Sequence, residues 1–221
     1  MDAITRTSLY KRTQGLLPSL FLSTLVALCV STPIPPQDTH PWHHYDRLVR
    51  DTRVLDRHHH NLYTSFKTIR HGDASIRLDD FTISGVPSVN DLPSPVDRYA
   101  MVESELLPIH YTQLEAFEQI LAQAIEDEFT LRMAGEENFY NSMRTVLTLL
   151  QRVVSKLRQT MIALDIDHDF NTTSTVTFSN NQQHSFLNMR ILFILQEFSA
   201  NLAPALEDFV NFMGTHTQPS S

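Results

Sequence analysis

The sequence predicts an all-α fold, an up-up-down-down long-chain bundle of four helices with two long crossover loops. Three observations predict it. Glycine is 5 of 221 residues, about 2% against a usual ~7%, which leaves strand-rich folds and nucleotide loops short of the residue their turns need. Four long stretches carry apolar residues at the three-and-four spacing of one helix face. The intervals between them run long, short, long: 23 residues at 73–95, a few around Ala134-Gly135, and 19 at 166–184. Two parallel helices of about 45 Å need a crossover of roughly 14 extended residues, so this topology accommodates all three intervals.

The first thirty residues read as an address. Lys11 and Arg12 precede the apolar run from Leu16 to Val30, followed by small residues and the Pro33-Ile34-Pro35-Pro36 breaker. This is the pattern of a secretory signal peptide, residues 1–31, and the run is shorter than the ~20 residues of a membrane span. A signal anchor is the competing reading. Cleavage near residues 29 to 32 removes Cys29, the single cysteine, and leaves 14 Lys+Arg against 24 Asp+Glu, a net charge of -10. The mature chain is then expected to be secreted, acidic, free of disulfides and not inserted in a membrane.

Thr39 is placed to cap a first helix that starts at Pro41 and ends at Gly72. Its stripe is Trp42, Tyr45, Leu48/Val49, Leu55, Leu62, Phe66 and Ile69, with Thr52 and His59 filling it. The second segment, Asp97 to Met133, repeats the pattern at Leu107, Tyr111, Leu114, Phe117, Leu121, Ile125 and Phe129. Pro108 should bend or break its start, because proline lacks the donor and clashes with the preceding turn. The third stripe is Phe139, Met143, Val146, Leu150, Val153, Leu157, Met161 and Leu164. Ser185 is placed to cap the fourth, with Leu187, Ile191, Leu195, Phe198, Leu202, Leu206, Phe209 and Met213 on one face and a kink expected at Pro204. Residues 214–221 are left as a flexible tail.

Charge and composition then narrow the chemistry. A formal charge of -8 means that a polyanion would have to bind a local basic patch against the field of the whole protein, so nucleic acid is not an expected partner. Histidines gather in or beside the first helix, at His40, His43, His44, His58, His59, His60 and His71. Consecutive helical residues point about 100° apart and cannot close on one ion, so a solvated face is the reading and no metal or cofactor is expected. A secreted helical carrier that uses these histidines for metal is the alternative. No Gly-x-Ser-x-Gly elbow, phosphate loop or mature cysteine is present for catalysis. The acid runs Glu126-Asp127-Glu128 and Glu136-Glu137 read as solvated helix ends. Asn171-Thr172-Thr173 is an N-glycosylation acceptor in the second long loop.

A rigid secreted bundle without chemistry on it acts through interfaces. From Ser84 onward the chain resembles the ciliary neurotrophic factor, cardiotrophin and cardiotrophin-like branch of the interleukin-6-type cytokines. The likeness rests on Gly85-Val86-Pro87, Leu106 to Ile125, Phe139 to Leu164, and Leu195-Gln196-Glu197-Phe198 with Asp208-Phe209 ten residues on. It makes residues 32–213 the cytokine domain.

The resemblance implies a ligand, expected to act as a monomer, that brings together class I cytokine receptors and triggers JAK-STAT signalling. The shared interleukin-6-family signalling chain and a leukaemia-inhibitory-factor-receptor-like chain are the expected partners. It puts one receptor site on the outer faces of the first and third helices, here Arg47, Arg50, Arg57, Arg144, Gln151 and Arg158. A second lies at the start of the fourth helix, where relatives carry Phe-x-x-Lys. Phe186 is present, Met189 takes the lysine position, and Arg190 shares a face with Phe186. A core role for Phe186 competes with this. The alpha-receptor face of relatives keeps only Asp208, since Pro204-Ala205 replaces their Arg-Ser, and leaves use of an alpha receptor open.

Overall fold

The structure, a computed structural model, describes residues 40–133, 138–170 and 176–216, with backbone only at 132 and 133. The expected signal segment and cap Thr39, Glu136-Glu137, Asn171 and the last five residues lie outside them. Among the described residues all regular structure is helical: α1 Pro41–His71, α2 Pro95–Ala100, α3 Glu103–Met133, α4 Tyr140–Ala163 and α5 His184–Thr215, with a 3-10 turn at Val89–Asp91.

α1 begins and ends where its sequence says. Pro41 needs no donor in the first turn, and the cap is His40, not Thr39: the Trp42 N–H donates to His40 Nδ1 at 3.3 Å. Gly72 ends the helix at φ 67°, its N–H donating to the Thr68 carbonyl, the left-handed stop that a side chain would strain. The stripe Tyr45, Leu48, Val49, Thr52, Leu55, His59, Leu62 and Phe66 is buried. Ile69, expected to complete it, is 54% exposed.

The second segment breaks earlier than expected. α2 stops at Ala100, Met101 is extended, and α3 restarts at Glu103 with the Val102 N–H on Glu105 Oε2 at 3.3 Å. Pro108 lies inside α3. It sits six residues from the start, where its missing donor orphans only the Ser104 carbonyl. Towards the other end of α3 the buried face drifts from the expected stripe: Phe129 is half exposed while Asp127, Glu128 and Leu131 are buried.

α4 ends at Asp165, which adopts φ 54° while the Ile166 N–H reaches back to the Met161 carbonyl at 3.0 Å, a Schellman-type stop. α5 starts one residue before Ser185, which is therefore not its cap; Gln183 holds that position without a side-chain bond. It runs through Pro204 as one helix and reaches Thr215, past the expected start of the tail.

α1 packs on α4 and α5, and α3 packs on the same two helices. Tyr45 near the start of α1 stacks on His216 just past the end of α5, with centroids 5.4 Å apart. Midway, His59 meets Phe198 edge-on, and Phe198 meets Phe117 of α3. The first long loop is fastened to α5: the Leu78 N–H donates to Gln196 Oε1 at 3.0 Å, and Asn201 Nδ2 donates to the Pro87 carbonyl at 3.2 Å.

Candidate functional site

Three sets of residues matter: the start of α5, the outer faces of α1 and α4, and the buried charges that hold the helices in place. Phe186 is half-buried, in edge contact with Phe81 from the first long loop at 6.0 Å, and Phe81 also meets Phe193 at 5.4 Å. Arg190 lies over the rings of Phe178 and Phe186, so the two residues expected to act together are neighbours. Arg190 is nevertheless an interior residue. It is 1% exposed, both its Nε and its Nη2 donate to Asp127 of α3, and its Nη1 donates to the Ser179 carbonyl. A partner cannot reach that guanidinium without breaking the pair, so Arg190 is corrected from a surface contact to a buried anchor.

Asp208 is corrected in the same way. It is 4% exposed, accepting from Arg98 Nε of α2 at 2.9 Å and lying 2.8 Å from His110 Nε2 of α3. The acid run at the end of α3 supplies a third node. Glu128 is fully buried and accepts from Arg70 Nη2 of α1 at 2.8 Å and from the Phe139 N–H ahead of α4 at 2.7 Å. Arg70 also donates to Asn188 of α5 at 2.8 Å. One guanidinium–carboxylate pair thus touches all four long helices or their first residue. Of the run read as solvated, only Glu126 is exposed.

These buried charges were missed because a charge at a helix end is ordinarily solvated. The available signal was register: residues 120, 121, 124, 125, 127, 128 and 131 form one continuous face. The histidine-rich stretch splits along the same lines. His58 and His60 are exposed, while His59 is 1% exposed with neither ring nitrogen paired. Burial holds its imidazole down to about 4. Burial, then the neighbouring Arg70 charge, also lowers His71. Among the described residues no three His, Asp or Glu side chains gather where they could hold a metal ion.

Arg47, Arg50, Arg57, Arg144, Gln151 and Arg158 are all exposed. Arg47, Arg50 and Arg57 lie on the side of α1 away from its buried stripe. Arg144 and Arg158 lean over the rings of Tyr140 and Phe170. Between the two helices, Arg152 of α4 donates to Asp51 of α1, and a groove of about 430 Å³ includes His58, Ile69, Phe139 and Thr145 in its walls. Further exposed apolar residues are Val96, Tyr99 and Val102 around the α2–α3 break.

No described helix is long and apolar enough to cross a membrane. No protein-family model and no curated protein matches the chain.

Proposed function

We propose that the chain is a secreted, non-enzymatic, monomeric ligand of the interleukin-6 type, whose outer faces bring together class I cytokine receptors to trigger JAK-STAT signalling. The observation that carries this reading is the order of side-chain contacts between the long helices. Tyr45 meets Phe212 while Arg70 meets Asn188, which sets α1 against α5. Asp51 meets Arg152 while Phe66 meets Phe139, which sets α1 against α4. His110 meets Asp208 and Asp127 meets Arg190, which sets α3 against α5. Each pairing is antiparallel, and α3 and α4 are joined by a short turn. Together they support an up-up-down-down bundle in which residues 72–102 and 164–183 are the crossover loops, the arrangement of growth-hormone and cytokine bundles.

One receptor chain would then meet the outer arginines of α1 and α4, and another the aromatic patch at the start of α5, now assigned to Phe186 and Phe81 without Arg190. The partners proposed are the shared interleukin-6-family signalling chain and a leukaemia-inhibitory-factor-receptor-like chain. The test is binding of the full chain, expressed with its leader, to a panel of soluble receptor ectodomains of this family, with kinase signalling read in matching cells. Capture of the shared chain plus one other is the expected result; a helical monomer that binds none sinks the reading. Phe186→Ala should weaken signalling about tenfold or more, as a central aromatic anchor does, while leaving the helical signal unchanged.

A further inference from the structure

The charges of this molecule are sorted by helix. α1 carries six Lys and Arg against three Asp, and α4 carries Arg144, Arg152, Lys156 and Arg158 with no carboxylate at all. The pair stands at +7 within a chain of -8. α3 holds seven carboxylates against one arginine, and α5 three against one. Because α1 and α4 pack on each other, their cations share a surface. Arg47, Arg50, Arg53 and Arg57 are exposed at the three-and-four spacing of one helix face. Arg144, Arg152 and Arg158 are exposed on the neighbour, and Lys156 is half exposed. Three aspartates stand among them: Asp46 on Arg50, Asp51 on Arg152, and the half-buried Asp56.

We infer that the α1–α4 face binds a linear sulfated polysaccharide. At physiological ionic strength the Debye length is about 8 Å, so at contact the local excess of cations outweighs the net charge of the chain. Seven of the eight cations are arginine, whose planar fork donates two parallel hydrogen bonds to an oxyanion. Single-stranded nucleic acid offers similar charge but draws on aromatic platforms for its bases. The exposed large apolar residues of α1 and α4 are Ile69 and Ile162, neither aromatic. This inference does not rest on the receptor reading, although the two surfaces share Arg47, Arg50, Arg57, Arg144 and Arg158.

The test is retention of the full chain on immobilised heparin, eluted with salt. The wild-type chain should be retained at about 0.15 M salt, the physiological ionic strength. Replacing Arg50, Arg57, Arg144 and Arg158 with Gln should lower affinity about tenfold or more, since each lost contact releases fewer counterions. A control that moves the net charge equally on the other helices, Gln119→Glu, Ala122→Glu, Ala203→Glu and Thr215→Glu, should stay close to wild type. Far-UV circular dichroism verifies that both variants fold. Flow-through of the wild-type chain, co-elution of the arginine variant with it, or equal retention on single-stranded DNA of matched charge would each overturn the inference.

Discussion

Arg190 shows how one residue can carry two opposite readings. By spacing it belongs with Phe186 on a face offered to a receptor, yet its guanidinium spans to Asp127 inside the molecule. Truncating one partner of a buried pair strands the other charge, so Arg190→Ala should cost about 3–5 kcal/mol in chemical denaturation, and the double variant Arg190→Met, Asp127→Leu should recover most of it. A single variant as stable as wild type would place the pair in solvent. His59 gives a second prediction at this scale. Its imidazole titrates at about 4 in the fold against about 6.5 in an unfolded chain. Between those values the unfolded state binds a proton that the folded state refuses. Stability is therefore fully present above about pH 6.5 and falls as pH drops toward 4, by on the order of 3 kcal/mol from this group. Urea midpoints across that range should show the slope, and His59→Leu should flatten it; an unchanged slope would assign the acid sensitivity elsewhere. The burial of His59 was legible from its place in the α1 stripe. The burial of Asp127 and Glu128 was not, because their partners lie 63 and 58 residues away in sequence.

At the scale of elements, the helices that carry a uniform stripe were read closely and their ends less so. Apolar periodicity reports which face is covered, and Met143 to Met161 in α4 is buried position for position. It says little about where the backbone leaves the helix. The break before α3 follows from the extended Met101 and the Glu105 bond to Val102, neither of which interrupts an apolar pattern, so Pro108 drew the expectation instead. Gly72 is the stop that both sequence and structure place. No atom lies within 4 Å of a Cβ built there, so Gly72→Ala tests backbone strain alone. It should destabilise the fold by roughly 1 kcal/mol, seen as a lower denaturation midpoint with an unchanged slope.

For the whole molecule, helical content and the lengths of the connections were legible in the sequence, while the polar ties between helices were not. Arg70–Glu128 and Arg190–Asp127 join helices distant along the chain, so no long helix should come away from the others alone. Unfolding followed by Trp42 fluorescence at the start of α1 and by circular dichroism should therefore trace one transition; separated midpoints would show that α1 melts independently. The stacking of Tyr45 on His216 has a practical side. The first long helix enters, and the last one leaves, at the same end of the molecule. Phe186 sits about 45 Å away at the far end of α5. A sensor tether attached after Thr215 would hold the molecule upright, with the Phe186 patch pointing into solution and the α1–α4 face open along its length.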